Sequence, residues 1–158
     1  MKIEYINPFI ESVTDLLGTR LGSDVERGDV GVTKCGMANT LDVLALIDIS
    51  GPARGTVAIT MPSDTAIGIV EALLGSTCDE VDETVSDGVA EVVNMIAGGA
   101  KAKIATSAGV PLNLSLPTVV TGKENVVDHL SESTWVQVPF KTGLGEFDLQ
   151  VTLESDDE

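Results

Sequence analysis

Asp87, Glu91 and Asn94 are the side chains in this sequence whose types and spacing point to chemistry. Separated by four and then three residues, they fall within about 60° of one another on an α-helix, and Gly98 continues the same line one turn further on. Two carboxylates and a neutral amide on one line put hydrogen-bond acceptors and an amide donor side by side. A plainly solvated helix face would satisfy the same pattern.

The helix that must carry them is the stretch from Asp82 to Ser107. Val85, Val89, Val92, Val93 and Ile96 fall in one arc about 100° wide on its opposite side, a stripe suited to packing on a sheet. Glycines interrupt it at Gly88, Gly98 and Gly99, each costing about 1 kcal/mol of helix propensity relative to Ala. Two explanations are open. Either the helix packs closely against another part of its own fold, or a partner approaches the face bearing Glu91 and Asn94.

A hydrolase with its own nucleophile needs an activated Ser, Cys or Lys beside a base. The sequence has no G-x-S-x-G, P-loop, H-E-x-x-H or C-x-x-C motif, and its single His leaves little for a triad or a zinc site. The acidic runs at 79–83 and 154–158 lack the spacing of a calcium loop and are read as solvated charge. No cofactor or metal is expected on this chain.

The 158 residues suffice for one domain. The chain is 43% hydrophobic but only 3% aromatic, which predicts a core of Val, Ile, Leu and Ala. Nine Lys and Arg against 25 Asp and Glu give a net charge of −16, which opposes binding to nucleic acid or anionic membranes. The mean hydropathy is +0.25, yet Asp42 and Asp48 interrupt the richest apolar stretch, so no membrane insertion is expected. Without an export signal or a spaced cysteine pattern, Cys35 and Cys78 are read as reduced thiols in a cytoplasmic protein.

In chain order, Asn7-Pro8 predicts a helix start, followed by Phe9, Ile10, Val13, Leu16 and Leu17 at helical spacing. Val25–Val32 is a glycine-broken strand. Leu41–Ile49 has aliphatics on both alternating faces, the mark of a strand covered on both sides. A Ser50-Gly51-Pro52 turn returns it as Gly55–Met61. Ser63 or Asp64 caps a helix bearing Ile67, Val70, Leu73 and Leu74, stopped by Gly75. After the long helix come strands at 112–121, 135–140 and 145–153, with Pro139 hinting at an edge or a bulge. Residues 122–134, with His129, read as a polar loop.

The run Asp87-Gly-Val-Ala-Glu91-Val-Val-Asn94-Met95 resembles the Asp/Ser-x-x-x-Glu-x-x-Asn signature of the CheC, CheX and FliY phosphatases of bacterial chemotaxis, and the surrounding sequence looks most like the CheX branch. Supporting stretches follow in order from Asn7 to Phe140: Asn7-Pro-Phe-Ile-Glu11-Ser-Val, Gly55-Thr-Val-Ala-Ile59, Asn94-Met-Ile-Ala-Gly98, Leu116-Pro-Thr-Val-Val120-Thr-Gly122 and Val138-Pro-Phe140. Members with two sites carry a second signature on the first helix. Here Asn7, Glu11 and Thr14 look like a degenerate copy, and the adopted reading is an ordinary capped helix.

Pattern and resemblance together predict an α/β domain of the α+β type over 1–153. Its mainly antiparallel sheet of about six strands carries three helices on one face, in the order helix, three strands, two helices, three strands. An acidic, disordered tail occupies 154–158. The resemblance implies a phosphorylated CheY-type response regulator as partner, which brings the aspartyl phosphate, its Mg²⁺ and a lysine, and it implies a homodimer. Asn94 would then place water in line with phosphorus, since an amide adds no negative charge beside a phosphoryl group. Glu91 would pair with the partner's lysine, with Asp87 and Gly98 in support. Two other readings stay open: a dimeric CheX-like module that binds receivers without catalysis, and an unrelated ligand-binding α/β domain.

Overall fold

The computed structural model describes residues 3–33, 42–121 and 134–155. Helix α1 (Ile3–Thr14) passes into a π-helical turn (Asp15–Arg20), followed by strands β1 (Val25–Arg27), β2 (Gly31–Thr33), β3 (Val43–Ser50) and β4 (Ala53–Met61). Helices α2 (Ser63–Leu74) and α3 (Glu83–Ala108) come next, then β5 (Asn113–Leu114), β6 (Thr118–Thr121), β7 (Trp135–Thr142) and β8 (Gly145–Ser155). The strands form one sheet in the order β1-β7-β8-β4-β3-β5, with β2 also on β7 and β6 also on β3, and every pairing is antiparallel. This is the expected α+β architecture.

Eight strands stand where about six were expected because two of them are split. Between β1 and β2 the residues Gly28, Asp29 and Val30 pass Pro139 of β7, which has no N–H to give; Gly28 N–H donates to the Pro139 carbonyl at 2.8 Å. Pro139 therefore sits at a bulge inside the sheet. Between β5 and β6, Asp48 N–H donates to Ser115 Oγ and Ser115 N–H donates to the Asp48 carbonyl, both at 2.9 Å, which carries β3 across the gap before Pro117.

Strand alternation sends Val43, Ala45, Ile47 and Ile49 of β3, with Val57 and Ile59 of β4 and Phe147, Leu149, Val151 and Leu153 of β8, to one face. All three helices bury their apolar stripes there. The other face holds a smaller cluster of Leu44, Leu46, Ala58 and Trp135, all buried, so β3 is covered on both sides as its sequence predicts. Phe140 and Phe147 stack across β7 and β8 at 5.3 Å.

Three local expectations are corrected. Helix α1 starts at Ile3 rather than at Asn7, and Pro8 lies inside it. Burial of Tyr5 and Ile6, which extend the apolar stripe by a turn, outweighs the one backbone bond that proline forfeits. The α2 cap is neither Ser63 nor Asp64: Ser63 is the first helical residue, and its N–H and Oγ both donate at 3.0 Å to Asp42, which precedes β3. A cap supplied from 21 residues upstream leaves no local signal. Strand β8 runs through Glu154 and Ser155, paired with Arg54 and Ala53. Cys35, His129 and 156–158 lie outside the described residues, as does the 122–134 loop except for Thr134.

Candidate functional site

Helix α3 is the platform. Asp82 caps it, its carboxylate accepting from the Val85 amide at 3.1 Å, and Gly109 ends it in the left-handed conformation (φ 67°) with its N–H on the Ala105 carbonyl. Between these caps lie 26 residues, about 39 Å of helix. Val85, Val89, Val92, Val93 and Ile96 are buried as predicted, and Ala97, Ala100 and Ile104 lengthen the stripe. A helix held so firmly along one side presents its other side in a fixed orientation.

Asp87, Glu91 and Asn94 are all exposed on that outer side. Among the described residues none of the three forms a hydrogen bond or an ion pair through its side chain. Each is open to an external group, and the rigid backbone sets the separation of the Glu91 carboxylate from the Asn94 amide.

The glycines divide between the two explanations. A Cβ on Gly88 would lie 2.7 Å from both methyls of Val70 in α2, and one on Gly99 would lie 2.8 Å from Ser12 Oγ in α1. Both are close-packing glycines that let α1 and α2 settle against α3, and the neighbouring atoms are side chains rather than backbone. Gly98 differs: a Cβ there meets nothing within 4 Å, so nothing in its own fold requires it to be small.

On α1, Glu11 and Thr14 are exposed, but each already has a partner. Lys103 of α3 reaches the Glu11 carboxylate at 3.7 Å and Asp15 at 3.3 Å, and the Thr14 hydroxyl donates to the Ile10 carbonyl at 3.1 Å. The two copies of the signature thus differ in engagement as well as in sequence.

Beside Glu91 lies a groove of about 540 Å³ that sequence reasoning missed, walled by the last turn of α2, by α3 and by the end of the π-helical turn. Leu73, Leu74, Met95 and Arg20 line it together with Asp87 and Glu91. Leu73 and Leu74 are the last two apolar residues of α2. Leu73 packs partly against the core, while Leu74 is 49% exposed. No local signal marks the groove, because its walls come from three separate elements.

An antiparallel sheet with three helices on one face is the fold of the CheC-like proteins. The chain matches a solved CheC-like superfamily protein from Shewanella sp. PV-4 with a TM-score of 0.85 and 30% identity, covering 98% of this chain and 100% of that one. A family model described as chemotaxis phosphatase CheX matches residues 43–141, which include all of α3 and exclude α1. The chain belongs to the CheX family of chemotaxis phosphatases. It is 27% identical over 126 residues to the CheY-P phosphatase CheX of Thermotoga maritima, covering 78% of this chain and 79% of that protein. A further likeness, of fold alone at 22% identity, is to the crystal structure of the CheX-CheY-BeF₃-Mg²⁺ complex from Borrelia burgdorferi, with a TM-score of 0.80 and coverage of 98% and 100%.

Proposed function

We propose that this chain accelerates hydrolysis of the aspartyl phosphate on a CheY-type response regulator. The observation that carries the reading is the pair Glu91 and Asn94, exposed, unpartnered and one turn apart on a helix anchored by its opposite side. The activity in the name of the Thermotoga relative and the partner in the Borrelia complex support it.

In this reading Glu91 accepts a charge-assisted hydrogen bond from the receiver's active-site lysine and so sets how far Asn94 reaches. The Asn94 amide hydrogen-bonds a water and holds it in line with phosphorus while the acyl phosphate P–O bond breaks. Positioning of this kind can contribute several kcal/mol, and an amide avoids the repulsion that a carboxylate would meet. Asp87, a turn before Glu91, supports the docking, and Gly98 leaves room for the receiver's surface. In this reading the Mg²⁺ belongs to the receiver, and no step runs through a metal on this chain.

The reading also has the protein act in the cytoplasm as a homodimer. The test is the lifetime of acyl phosphate on a purified receiver. The chain should shorten it, and Asn94→Ala should largely abolish the effect. A chain that bound the phosphorylated receiver without shortening its lifetime would be a non-catalytic binding module instead.

A further inference from the structure

The groove beside Glu91 shares Asp87 and Glu91 with the chemistry described above, but its apolar lining and Arg20 have no part in it. The described large apolar side chains that stand exposed are Val30, Val32, Leu74 and Leu116, and of these Leu74 lines a wall shared with the candidate site. Close contact of Gly88 with Val70 brings α2 against α3, and the last turn of α2 lines the groove with Met95 and Glu91. Arg20 lines it too. Among the described residues Arg20 forms no ion pair, in a chain with only nine Lys and Arg against 25 Asp and Glu. The groove is therefore lined by the carboxylates of Asp87 and Glu91, by apolar Leu73, Leu74 and Met95, and by the guanidinium of Arg20.

We propose that this groove is the specificity seat for the receiver: it takes an apolar side chain that the receiver exposes beside its phosphorylated aspartate, between a receiver lysine facing Glu91 and a receiver carboxylate facing Arg20. The inference rests on the phosphatase reading. Its support is continuity, because Glu91 and Asp87 line both the groove and the catalytic face, and charge complementarity, because an occupant meets both carboxylates and a guanidinium and must present groups of both signs. A receiver active site, with a lysine next to acidic groups that hold a cation, has that arrangement. Filling the floor contributes association and leaves the in-line water to Asn94, so the groove acts on KM rather than kcat.

The experiment compares Leu74→Asp, Leu74→Met and Ala72→Asp in steady-state dephosphorylation of a purified phosphorylated receiver. Association with the same receiver loaded with beryllofluoride is measured in parallel. Leu74 is half exposed and Ala72 is an exposed α2 residue outside the groove, so each variant should keep the parent's melting curve. Leu74→Asp should raise KM and Kd about tenfold or more with kcat within about twofold, Leu74→Met should stay near the parent, and Ala72→Asp should match the parent despite the same added charge. Arg20→Glu should raise KM and weaken its salt dependence. If the parent is active and Leu74→Asp behaves like Ala72→Asp, the groove does not seat the receiver. Loss of kcat with KM unchanged also overturns the proposal. A parent that binds the loaded receiver without hydrolysing phosphate defeats the phosphatase reading while the Kd series still decides the groove. A parent that does neither defeats both.

Discussion

Lys103 on α3 reaches the carboxylate of Glu11 on α1 at 3.7 Å, the same group that a receiver lysine would need if α1 carried a second site. Asp15 lies nearer to the same ammonium, at 3.3 Å, and all three side chains are partly exposed. Exposed pairs of this kind contribute about 0–1 kcal/mol, so the bridge adds little to stability. Its consequence is occupancy: an intramolecular cation holds Glu11, and Thr14 lacks the reach and geometry of an amide. Glu11→Ala and Thr14→Ala should therefore leave phosphatase activity within about twofold of the parent. A loss in either as large as that of Asn94→Ala, with folding intact, would establish a working site on α1.

For Glu91 and Asn94, the proposed catalytic pair, neither truncation removes a core group, so both variants should fold. Asn94→Ala should still bind the phosphorylated receiver while its dephosphorylation rate falls about 10²-fold or more. Glu91→Ala should weaken association as well, with Glu91→Gln intermediate, and added salt should reproduce part of that loss in the parent. Chelating magnesium should stop turnover in all of them, because the metal is assigned to the receiver. Acyl phosphate followed over time checks each point, and an Asn94→Ala protein as fast as the parent would remove the amide from the mechanism.

The glycines of α3 should respond with opposite signs. Gly98→Ala gains about 1 kcal/mol of helix propensity against open space and should raise the melting temperature. Gly88→Ala drives a methyl onto both Cγ atoms of Val70, which cannot turn both away, and the overpacking should outweigh the propensity gain for a net loss of about 1–2 kcal/mol. If Gly98 lies where the receiver approaches, the stabilised variant will turn over more slowly. Unchanged turnover would place Gly98 outside the interface.

Asp148 predicts a pH dependence away from the site. Burial pushes its carboxyl above the ordinary value and the charge of Glu146 adds to this, while the hydrogen bond from Gln137 Nε2 at 3.2 Å pulls the other way. A raised carboxyl pKa means that the folded protein holds this proton more tightly than the unfolded chain does. Stability from this group is therefore lost as pH rises from the ordinary aspartate range through the raised value. Asp148→Asn, which can still accept from Gln137, should melt higher at neutral pH and flatten the acid-side stability profile. Parallel profiles for parent and variant would show that the carboxylate carries no such cost.

The expected homodimer can be tested on mass alone. Val32 on β2 and Leu116 between β5 and β6 are 72% and 87% exposed and lie toward opposite ends of the sheet. Light scattering at micromolar concentration should return twice the 16.4 kDa chain mass. A monomer mass across that range would remove the dimer from the reading.

Much of the architecture was legible because local periodicity carries it. The valine stripe of α3, the two apolar faces of β3 and the alternation of β8 each follow from a repeat of 3.6 or 2 residues, and the structure buries the same side chains. What misled were features whose partner is far away in the chain. Asn7-Pro8 has the local form of a helix start, but Tyr5 and Ile6 have a core to enter, and no short window contains that core. Ser63 has the form of a cap, yet it donates to Asp42.

By itself the sequence determined that Asp87, Glu91 and Asn94 share the outward side of one helix, since their spacing is set by the helical repeat whatever surrounds it. Only the tertiary structure decided what each glycine is for: Gly88 meets Val70 and Gly99 meets Ser12, while Gly98 meets nothing. It alone also joined Arg20, Leu74 and Met95 into one groove beside Glu91 and turned Lys103 toward Glu11. Those relationships depend on how three helices cross a sheet, a geometry set by side-chain packing between residues dozens of positions apart, which periodicity within any one segment does not encode.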